Sequence, residues 1–326
     1  MKFGPIATDE AVGAILAYSV PLRVGRLRKG HRLDAADVVA LQDAGHAQVT
    51  VAQLETGDLD EDEAAARLAL ALAGSGLRFS NAATGRVNVY AQVAGIVDVD
   101  RAAINAFNAV NPMITVATVA PLTRVDAGGM VATIKIISYA VPEADVTRAC
   151  QVATAALSLL PPIYHTASLI ETHIGEPPSD KGRRALAGRL DRLGLTLTAR
   201  DIVPHETTPL ANAIAQASGE VVFVLTASAT SDINDVGPSA VRQAGGELTQ
   251  FGMPVDPGNL LFLGWIDQKP VIGLPGCARS PALNGADWVL ERVICGVPPS
   301  PADFAQMGVG GLLKEIPTRP KPRADI

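Results

Sequence analysis

The sequence predicts an α/β protein: a C-terminal three-layer α/β/α domain with a mostly parallel sheet, preceded by a mixed α+β N-terminal region. Its 326 residues, 48% hydrophobic and 18% charged, suffice for a buried core and, at roughly 150 residues per domain, for two domains. After residue 160, strand-like and helix-like segments alternate at short spacing, which is typical of βαβ crossovers. We therefore expect an N-terminal region at 1–160, an α/β domain at 161–312 and a flexible tail at 313–326.

Charge and cysteine usage exclude several classes. With 33 acidic and 27 basic residues, the net charge of −6 argues against nucleic-acid binding. Cys150, Cys277 and Cys295 are too few and too scattered for a disulfide framework or a CxxC zinc site, which favours a reducing cytoplasm. The N-terminus lacks an apolar signal core, and the apolar stretch at 11–20 is too short to span a bilayer. We expect a cytoplasmic protein with no membrane partner.

The N-terminal elements are predicted from helix caps, glycine stops and β-branched runs. The apolar stretch 149–170 is broken by Pro161 and Pro162, so it predicts a buried helix, a break and a buried strand. Helices are also predicted at 34–45, 58–73 and 100–109, and strands at 49–51, 87–93, 114–119 and within the apolar run 130–141.

The C-terminal elements follow the alternating pattern. Strands are predicted at 166–171, 195–203, 220–226, 260–266 and 271–274, and helices at 179–193, 209–217, 238–244 and 281–295. In such folds ligands bind at the carboxyl ends of the strands, where each strand passes into a helix. Two of these connections have unusual composition.

The first candidate site follows the buried strand at 220–226. The residues after it are small or hydroxylated, and Asp235 precedes a helix whose first turn holds Pro238. Small side chains let a ligand reach backbone N–H groups, and hydroxyls add donors for ligand oxygens. An ordinary loop with Asp235 as a helix cap is the alternative. The candidate binding residues here are Thr226, Ser228, Ala229, Thr230 and Ser231.

The second candidate site follows the strand at 271–274 and reads Gly-Leu-Pro-Gly-Cys-Ala-Arg-Ser-Pro. Arg279 and Ser280 stand just before the predicted helix 281–295, where the helix dipole favours an anion. Cys277 is either a reactive thiol or simply a small buried side chain. Pro275, Gly276, Cys277, Arg279 and Ser280 are the candidate binding residues.

Four motifs in order resemble the molybdopterin-binding domain of molybdenum cofactor biosynthesis proteins, and they span residues 165–297. More closely, the chain resembles molybdopterin-binding proteins found beside cofactor nucleotidyltransferase domains. The motifs are the Thr226 loop with Asp235-Val236-x-Pro238, the pair Gly245-Gly246, the turn Met253-Pro254-Val255-Asp256-Pro257-Gly258, and Gly273-Leu274-Pro275-Gly276.

The resemblance implies that a pterin phosphate or nucleotide lies across the two connections, with Asp256 and Gly258 as further binding residues. It assigns Asp235 a catalytic role toward a transferred phosphoryl group or as a ligand of Mg²⁺, in a molybdotransferase-like transferase. The family's glycine pair is Ser228-Ala229 here, and Asp256 and Asn259 replace its lysines. Lost lysines remove charge that would hold molybdate, so pterin binding is favoured over molybdate insertion.

Two other functions stay open. One is a carrier or regulatory partner of a cofactor nucleotidyltransferase, which binds the cofactor without chemistry. The other is a nicotinamide mononucleotide amidohydrolase, because competence-damage-inducible proteins resemble the same domain. Relatives commonly form dimers or trimers, which implies a homo-oligomer.

Other polar residues carry weaker signals. His165, His173 and His205 lack the spacing of a helical zinc pair. For the strand end at 171–173, a solvated position is favoured over one facing the cleft.

Overall fold

The computed structural model describes residues 1–313, which form two compact units. The first comprises Met1–Val93 and Val97–Leu159, and the second comprises Ala94–Ile96 and the chain from Leu160 onward. Except for residue 313, the predicted flexible tail lies outside the described residues. None of the helices within residues 1–313 is long and apolar enough to cross a bilayer.

The chain up to Leu160 is built from short strands and four α-helices among the described residues. Three of the helices begin at aspartates, Asp34, Asp60 and Asp100, whose side chains accept backbone N–H groups of the first turn. The elements are β1 (Lys2–Ala7), β2 (Ile15–Leu16), β3 (Val20–Pro21), β4 (Arg26–Leu27), α1 (Ala35–Asp43), β5 (Gln48–Gln53), β6 (Asp58–Asp60), α2 (Glu61–Leu72), β7 (Leu77–Phe79), β8 (Arg86–Ala91), β9 (Gly95–Val99), α3 (Arg101–Asn108), β10 (Ile114–Thr118), β11 (Arg124–Val125), β12 (Met130–Ile136), β13 (Ala140–Pro142), α4 (Glu143–Val152) and β14 (Leu157–Leu160).

These strands form several small sheets, in the orders β1-β5-β2, β3-β4, β10-β12-β8-β7, β11-β9-β14 and β13-β6. One face of α2 packs on the four-stranded sheet, and the largest core cluster includes Leu68, Val89, Phe107 and Ile134. Burying one apolar face of each sheet and helix is what stabilises this α+β arrangement.

Two apolar runs of the sequence contain more strands than predicted. The run 130–141 forms two strands, β12 and β13, because the chain turns at 137–139, where Ser138 Oγ donates to Ala140 O. The run 149–170 contains an additional strand, β14. Ala155 adopts a φ of +52° between α4 and β14, and Leu157 and Leu159 of β14 are buried.

The second unit contains one six-stranded sheet with helices. Its elements are β15 (Thr166–His173), α5 (Lys181–Asp191), β16 (Thr196–Pro204), α6 (Thr207–Gln216), β17 (Val221–Leu225), α7 (Val236–Gln243), β18 (Glu247–Phe251), β19 (Phe262–Ile266), β20 (Lys269–Leu274), α8 (Gly285–Ile294) and α9 (Pro301–Gln306). The strand order is β16-β15-β17-β20-β19-β18. The first three pairings are parallel and the last two are antiparallel, so the sheet is mostly parallel as predicted.

The predicted helix 281–295 begins later than expected, and this corrects the placement of an anion site at its first turn. Helix α8 starts at Gly285, and the Asn284 side chain caps it by accepting from Ala286 N. Arg279 instead ends a short 3-10 helix, Gly276–Arg279, and Ser280 follows it in extended conformation. Neither residue is therefore at the N-terminus of α8.

Candidate functional site

The structure brings the two predicted connections together. Strands β17 and β20 are parallel neighbours, with Leu225 opposite Leu274, so the 226–235 loop and the 275–280 loop leave the same edge of the sheet. Arg279 Nη2 donates a hydrogen bond of 2.8 Å to Thr226 O. This bond joins the loops directly, and the carboxyl edge of the sheet is the place where parallel α/β sheets bind ligands.

In the 226–235 loop, the two threonines turn inward and the smaller residues face solvent. Thr226 and Thr230 are 7% and 5% exposed, and their hydroxyls lie 3.3 Å apart. The other candidate residues, Ser228, Ala229 and Ser231, are exposed. Exposed amides and hydroxyls of this kind can donate to an oxygen-rich ligand.

Asp235 closes this loop. Its Oδ2 accepts from Ser231 N at 3.0 Å, and its Oδ1 accepts from its neighbour Val236 N at 2.7 Å, at the start of α7. Both carboxylate oxygens therefore already bind backbone N–H groups. The side chain is a cap and a loop brace in this structure, which is the alternative that the sequence left open.

The backbone of the 275–280 loop is held by Arg189, a residue of α5 that was not predicted from the sequence. Arg189 is 3% exposed, and its guanidinium donates to Ala278 O at 3.0 Å and to Ser280 O at 2.9 Å. Arg189 lies among buried leucines on the apolar face of α5, and a charged side chain on such a face needs a buried partner. This position in the helix could have identified Arg189 from the sequence. Within the loop Pro275 is buried, and Cys277 is partly buried.

The end of β15 is buried, which corrects the expectation of a solvated strand end. Glu171 and Thr172 are 0% and 1% exposed. Glu171 Oε2 accepts from Arg200 Nε at 2.7 Å, and Arg200 also pairs with Asp180 at 2.6 Å. A carboxylate at this depth is retained only with such a partner.

The second oxygen of Glu171, Oε1, has no hydrogen-bond partner among residues 1–313. It lies against Gly182 of α5, where an added Cβ would stand 2.9 Å from it. The arrangement explains why residue 182 lacks a side chain. The alternation of side chains along β15 did not predict the burial of Glu171, because both faces of this central strand are covered.

The turn that contains Asp256 and Gly258 packs beside α8. Gly258 has a φ of +145°, and an added Cβ would stand 2.7 Å from Gly285 N. The backbone N–H of Asp256 donates a hydrogen bond to Gly311 O, and its carbonyl oxygen accepts one from Leu313 N. Close backbone packing thus accounts for the glycine, and the ligand role of this turn stays a prediction.

No group of three or more histidine, cysteine, aspartate or glutamate side chains is placed to hold a metal anywhere in the described part of the chain. The role of Asp235 toward Mg²⁺ stays a prediction. The hydroxyl, amide and guanidinium groups of the edge are donors, and this donor set suits an anionic or oxygen-rich organic ligand.

The site thus lies at the carboxyl edge of a mostly parallel sheet in a mixed α/β protein. Residues 5–53 match a family described as a domain of unknown function (DUF8806). No curated protein matches the chain.

Two solved structures, both of Pyrococcus proteins, are similar over 94% of the chain. One is the molybdopterin biosynthesis MoeA protein from Pyrococcus horikosii, at 14% identity, 77% coverage of that chain and a TM-score of 0.33. The other is a molybdenum cofactor biosynthesis protein from Pyrococcus furiosus, at 11% identity, 65% coverage of that chain and a TM-score of 0.27. At these TM-scores the likeness does not establish a shared fold.

Proposed function

We propose that this protein binds molybdopterin or its nucleotide derivative at the carboxyl edge of the six-stranded sheet, in molybdenum cofactor biosynthesis. The observation that carries the proposal is the hydrogen bond from Arg279 Nη2 to Thr226 O, which joins the two loops at adjacent parallel strands. It holds a guanidinium where ligands of such sheets bind. The order of the sequence motifs supplies the ligand class.

Arg279 has the right chemistry for a phosphate group. One of its amino groups is used by Thr226 O, and the other, Nη1, lies 3.6 Å from where a Cβ on Gly276 would stand. Because Gly276 has no side chain, a ligand can approach Nη1 and the loop backbone together. A guanidinium hydrogen bond to a phosphate is charge-assisted and stronger than a neutral one.

The other residues of the edge would orient the ligand. Exposed Ser228 and Ser231 offer hydroxyls to ligand oxygens, while Thr226 and Thr230 keep the loop in shape through their paired hydroxyls. Asp235 would share its carboxylate between the loop it caps and Mg²⁺.

A carrier function without chemistry is the second candidate. Both carboxylate oxygens of Asp235 already accept backbone N–H groups, which favours a structural role for this side chain. Asp256 and Asn259 also stand where the resembled family has lysines, so charge for holding molybdate is missing. In this form the protein would pass the cofactor to a nucleotidyltransferase or a target enzyme.

The first test is equilibrium binding of molybdopterin to the full chain, with and without Mg²⁺. We expect Arg279→Ala to weaken binding by about tenfold or more, because a charge-assisted hydrogen bond is lost. Lys269→Ala is the matched control. It removes one positive charge at the other end of β20, where Lys269 Nζ donates to Ala217 O. Equal binding by wild type and Arg279→Ala would contradict the proposal.

Turnover separates the candidates. Consumption of an adenylylated pterin with molybdate and Mg²⁺ selects the transferase, and binding without turnover selects the carrier. Release of ammonia from nicotinamide mononucleotide, with no pterin binding, selects the amidohydrolase and overturns the proposal.

A further inference from the structure

We propose that His205 is a further ligand-binding residue of this edge, and that its neutral ring presents an Nε2–H donor to an oxygen of a phosphate group on the ligand. The proposal deepens the function proposed above and rests on it for the identity of the ligand. The state of the ring is argued separately, from the hydrogen bonds of Thr172.

Thr172 connects His205 to the 226–235 loop. The Thr172 side chain is buried at the end of β15, and its Oγ1 lies 2.7 Å from Ala227 N and 2.8 Å from His205 Nδ1. One hydroxyl is therefore shared between the loop and the ring. The backbone adds a second link, since His205 N donates to His173 O at 2.9 Å.

These hydrogen bonds indicate which ring nitrogen of His205 carries the proton. Ala227 N–H donates to Thr172 Oγ1, so that oxygen is already an acceptor. The hydroxyl proton of Thr172 needs an acceptor of its own, and His205 Nδ1 is the partner that the structure places within reach. Nδ1 must then be unprotonated, and a neutral imidazole carries its proton on Nε2.

The opposite assignment leaves a polar group unsatisfied. If His205 Nδ1 carried the proton and donated it to Thr172, the threonine hydroxyl would receive two hydrogen bonds and its own proton would have no visible acceptor within residues 1–313. Thr172 is 1% exposed, so bulk solvent does not reach its side chain. Leaving a buried donor unsatisfied costs about 1–3 kcal/mol.

The neighbouring histidine is arranged the other way. His173 Nδ1 lies 2.9 Å from Gly175 O, and a carbonyl only accepts, so this Nδ1 carries the proton. A neutral His173 therefore has a bare Nε2, which repels an anionic oxygen. His205 has the opposite tautomer and is partly exposed, so it is the histidine suited to an anion.

Arg279 places a positive charge at this edge of the sheet. Arg200 is shared between the Glu171 and Asp180 carboxylates, whereas the hydrogen bond observed for the Arg279 guanidinium goes to the neutral carbonyl oxygen of Thr226. An oxygen of a phosphate ester would accept from Nε2–H of His205, and Arg279 would contact another part of the same anionic ligand. Two donors on different loops would then fix the orientation of the ligand.

The ring state is tested by NMR of the full chain with ¹⁵N-labelled histidine. We expect His205 to give the Nε2–H pattern at neutral pH, and we expect Thr172→Val, which keeps the branched shape, to abolish this preference. His173 should give the Nδ1–H pattern in both proteins. An Nδ1–H pattern for His205 in the wild type would overturn the proposal.

Ligand contact is tested in the same samples with inorganic phosphate, 6-hydroxymethylpterin and molybdopterin. We expect phosphate and molybdopterin to shift the His205 Nε2 signal and the pterin without phosphate to leave it unchanged. A shift caused only by the phosphate-free pterin, or by none of the probes, would overturn the proposal. A shift with phosphate but no binding of molybdopterin would support His205 and contradict the proposed function.

Affinity provides the second test, with two variants that place an amide donor differently. His205→Gln puts its amide near the position of Nε2 and should keep the affinity for molybdopterin within about threefold, whereas His205→Asn reaches only to Nδ1 and should lose about tenfold. His173→Gln is the control and should bind like wild type. Unchanged affinity in His205→Asn, with weakened binding in Arg279→Ala, would refute the role of His205 and leave the proposed function standing.

Discussion

Arg189 Nε donates to Asp287 Oδ1 over 2.6 Å, and each of the two side chains is only 2% exposed. The pair joins α5 to α8, and the remaining N–H groups of Arg189 donate to backbone carbonyls that include Ala278 and Ser280. The 275–280 loop is therefore fixed by a buried ion pair on neighbouring helices. A loop held this way presents Arg279 in one position without relying on its own short sequence.

We expect Asp287→Asn to destabilise the second unit by about 3–5 kcal/mol, because it leaves the Arg189 charge buried without its partner. Both tryptophans, Trp265 and Trp288, belong to this unit, so urea unfolding followed by tryptophan fluorescence reports on it. Asp191→Asn, at an exposed residue at the end of α5, is the control and should change stability by about 0.5 kcal/mol or less. Similar unfolding midpoints for the two variants would contradict this prediction.

The two glycines of the Gly-Leu-Pro-Gly motif should respond differently to alanine. A Cβ on Gly273 would stand 2.0 Å from Phe262 Cε1 in the sheet, so Gly273→Ala should cost about 1–3 kcal/mol or more by overpacking. A Cβ on Gly276 meets Arg279 Nη1 at an ordinary 3.6 Å, so Gly276→Ala should fold normally and weaken ligand binding. Phe262→Leu should partly restore Gly273→Ala, as measured in a double-mutant cycle. Equal stability losses for the two alanine variants would show that the packing argument is wrong.

Glu220 should make stability depend on pH. Its Oε2 accepts from His165 N at 2.8 Å, Thr166 N at 2.9 Å and Thr166 Oγ1 at 3.0 Å, and these bonds lower its pKa below the ordinary 4.5. A lowered pKa in the folded state adds stability that is present above the ordinary value and is lost as pH falls through the lowered one.

The measurement compares urea unfolding of wild type and Glu220→Gln. The variant should be less stable at neutral pH, and the difference should shrink as the pH is lowered to about 3. Glu247→Gln, on strand β18 of the same sheet and exposed, is the control and should follow the wild-type pH profile. A gap between wild type and Glu220→Gln that is constant with pH would contradict the assignment.

Cys295 should be chemically inert in the folded protein. Burial raises the pKa of its thiol to about 12, and the residue is 4% exposed. Since the thiolate is the reacting form, iodoacetamide at about pH 8 should not modify Cys295 in native protein and should modify it fully in urea. Peptide mass spectrometry measures the extent of labelling at each cysteine, and equal rates in the two conditions would contradict the prediction.

Local chemistry in the sequence was enough to predict many of the elements. Asp34, Asp60 and Asp100 start helices α1, α2 and α3 close to the predicted positions, because a cap needs only residues two or three positions away. Strand β18 was missed, since its half-exposed residues Glu247–Phe251 show no clear alternation. The start of α8 was placed too early, because Pro281 signalled a first turn that Asn284 actually caps.

The sequence by itself determined the residue types of the candidate site and the strands that carry them, since both depend on neighbours along the chain. Only the tertiary structure decided that β20 lies beside β17, which places Arg279 against Thr226. It also decided that Thr172 shares one hydroxyl between Ala227 and His205. Strand order and long-range hydrogen bonds depend on how whole elements pack together, and a local pattern contains no information about which distant partner satisfies a buried polar group.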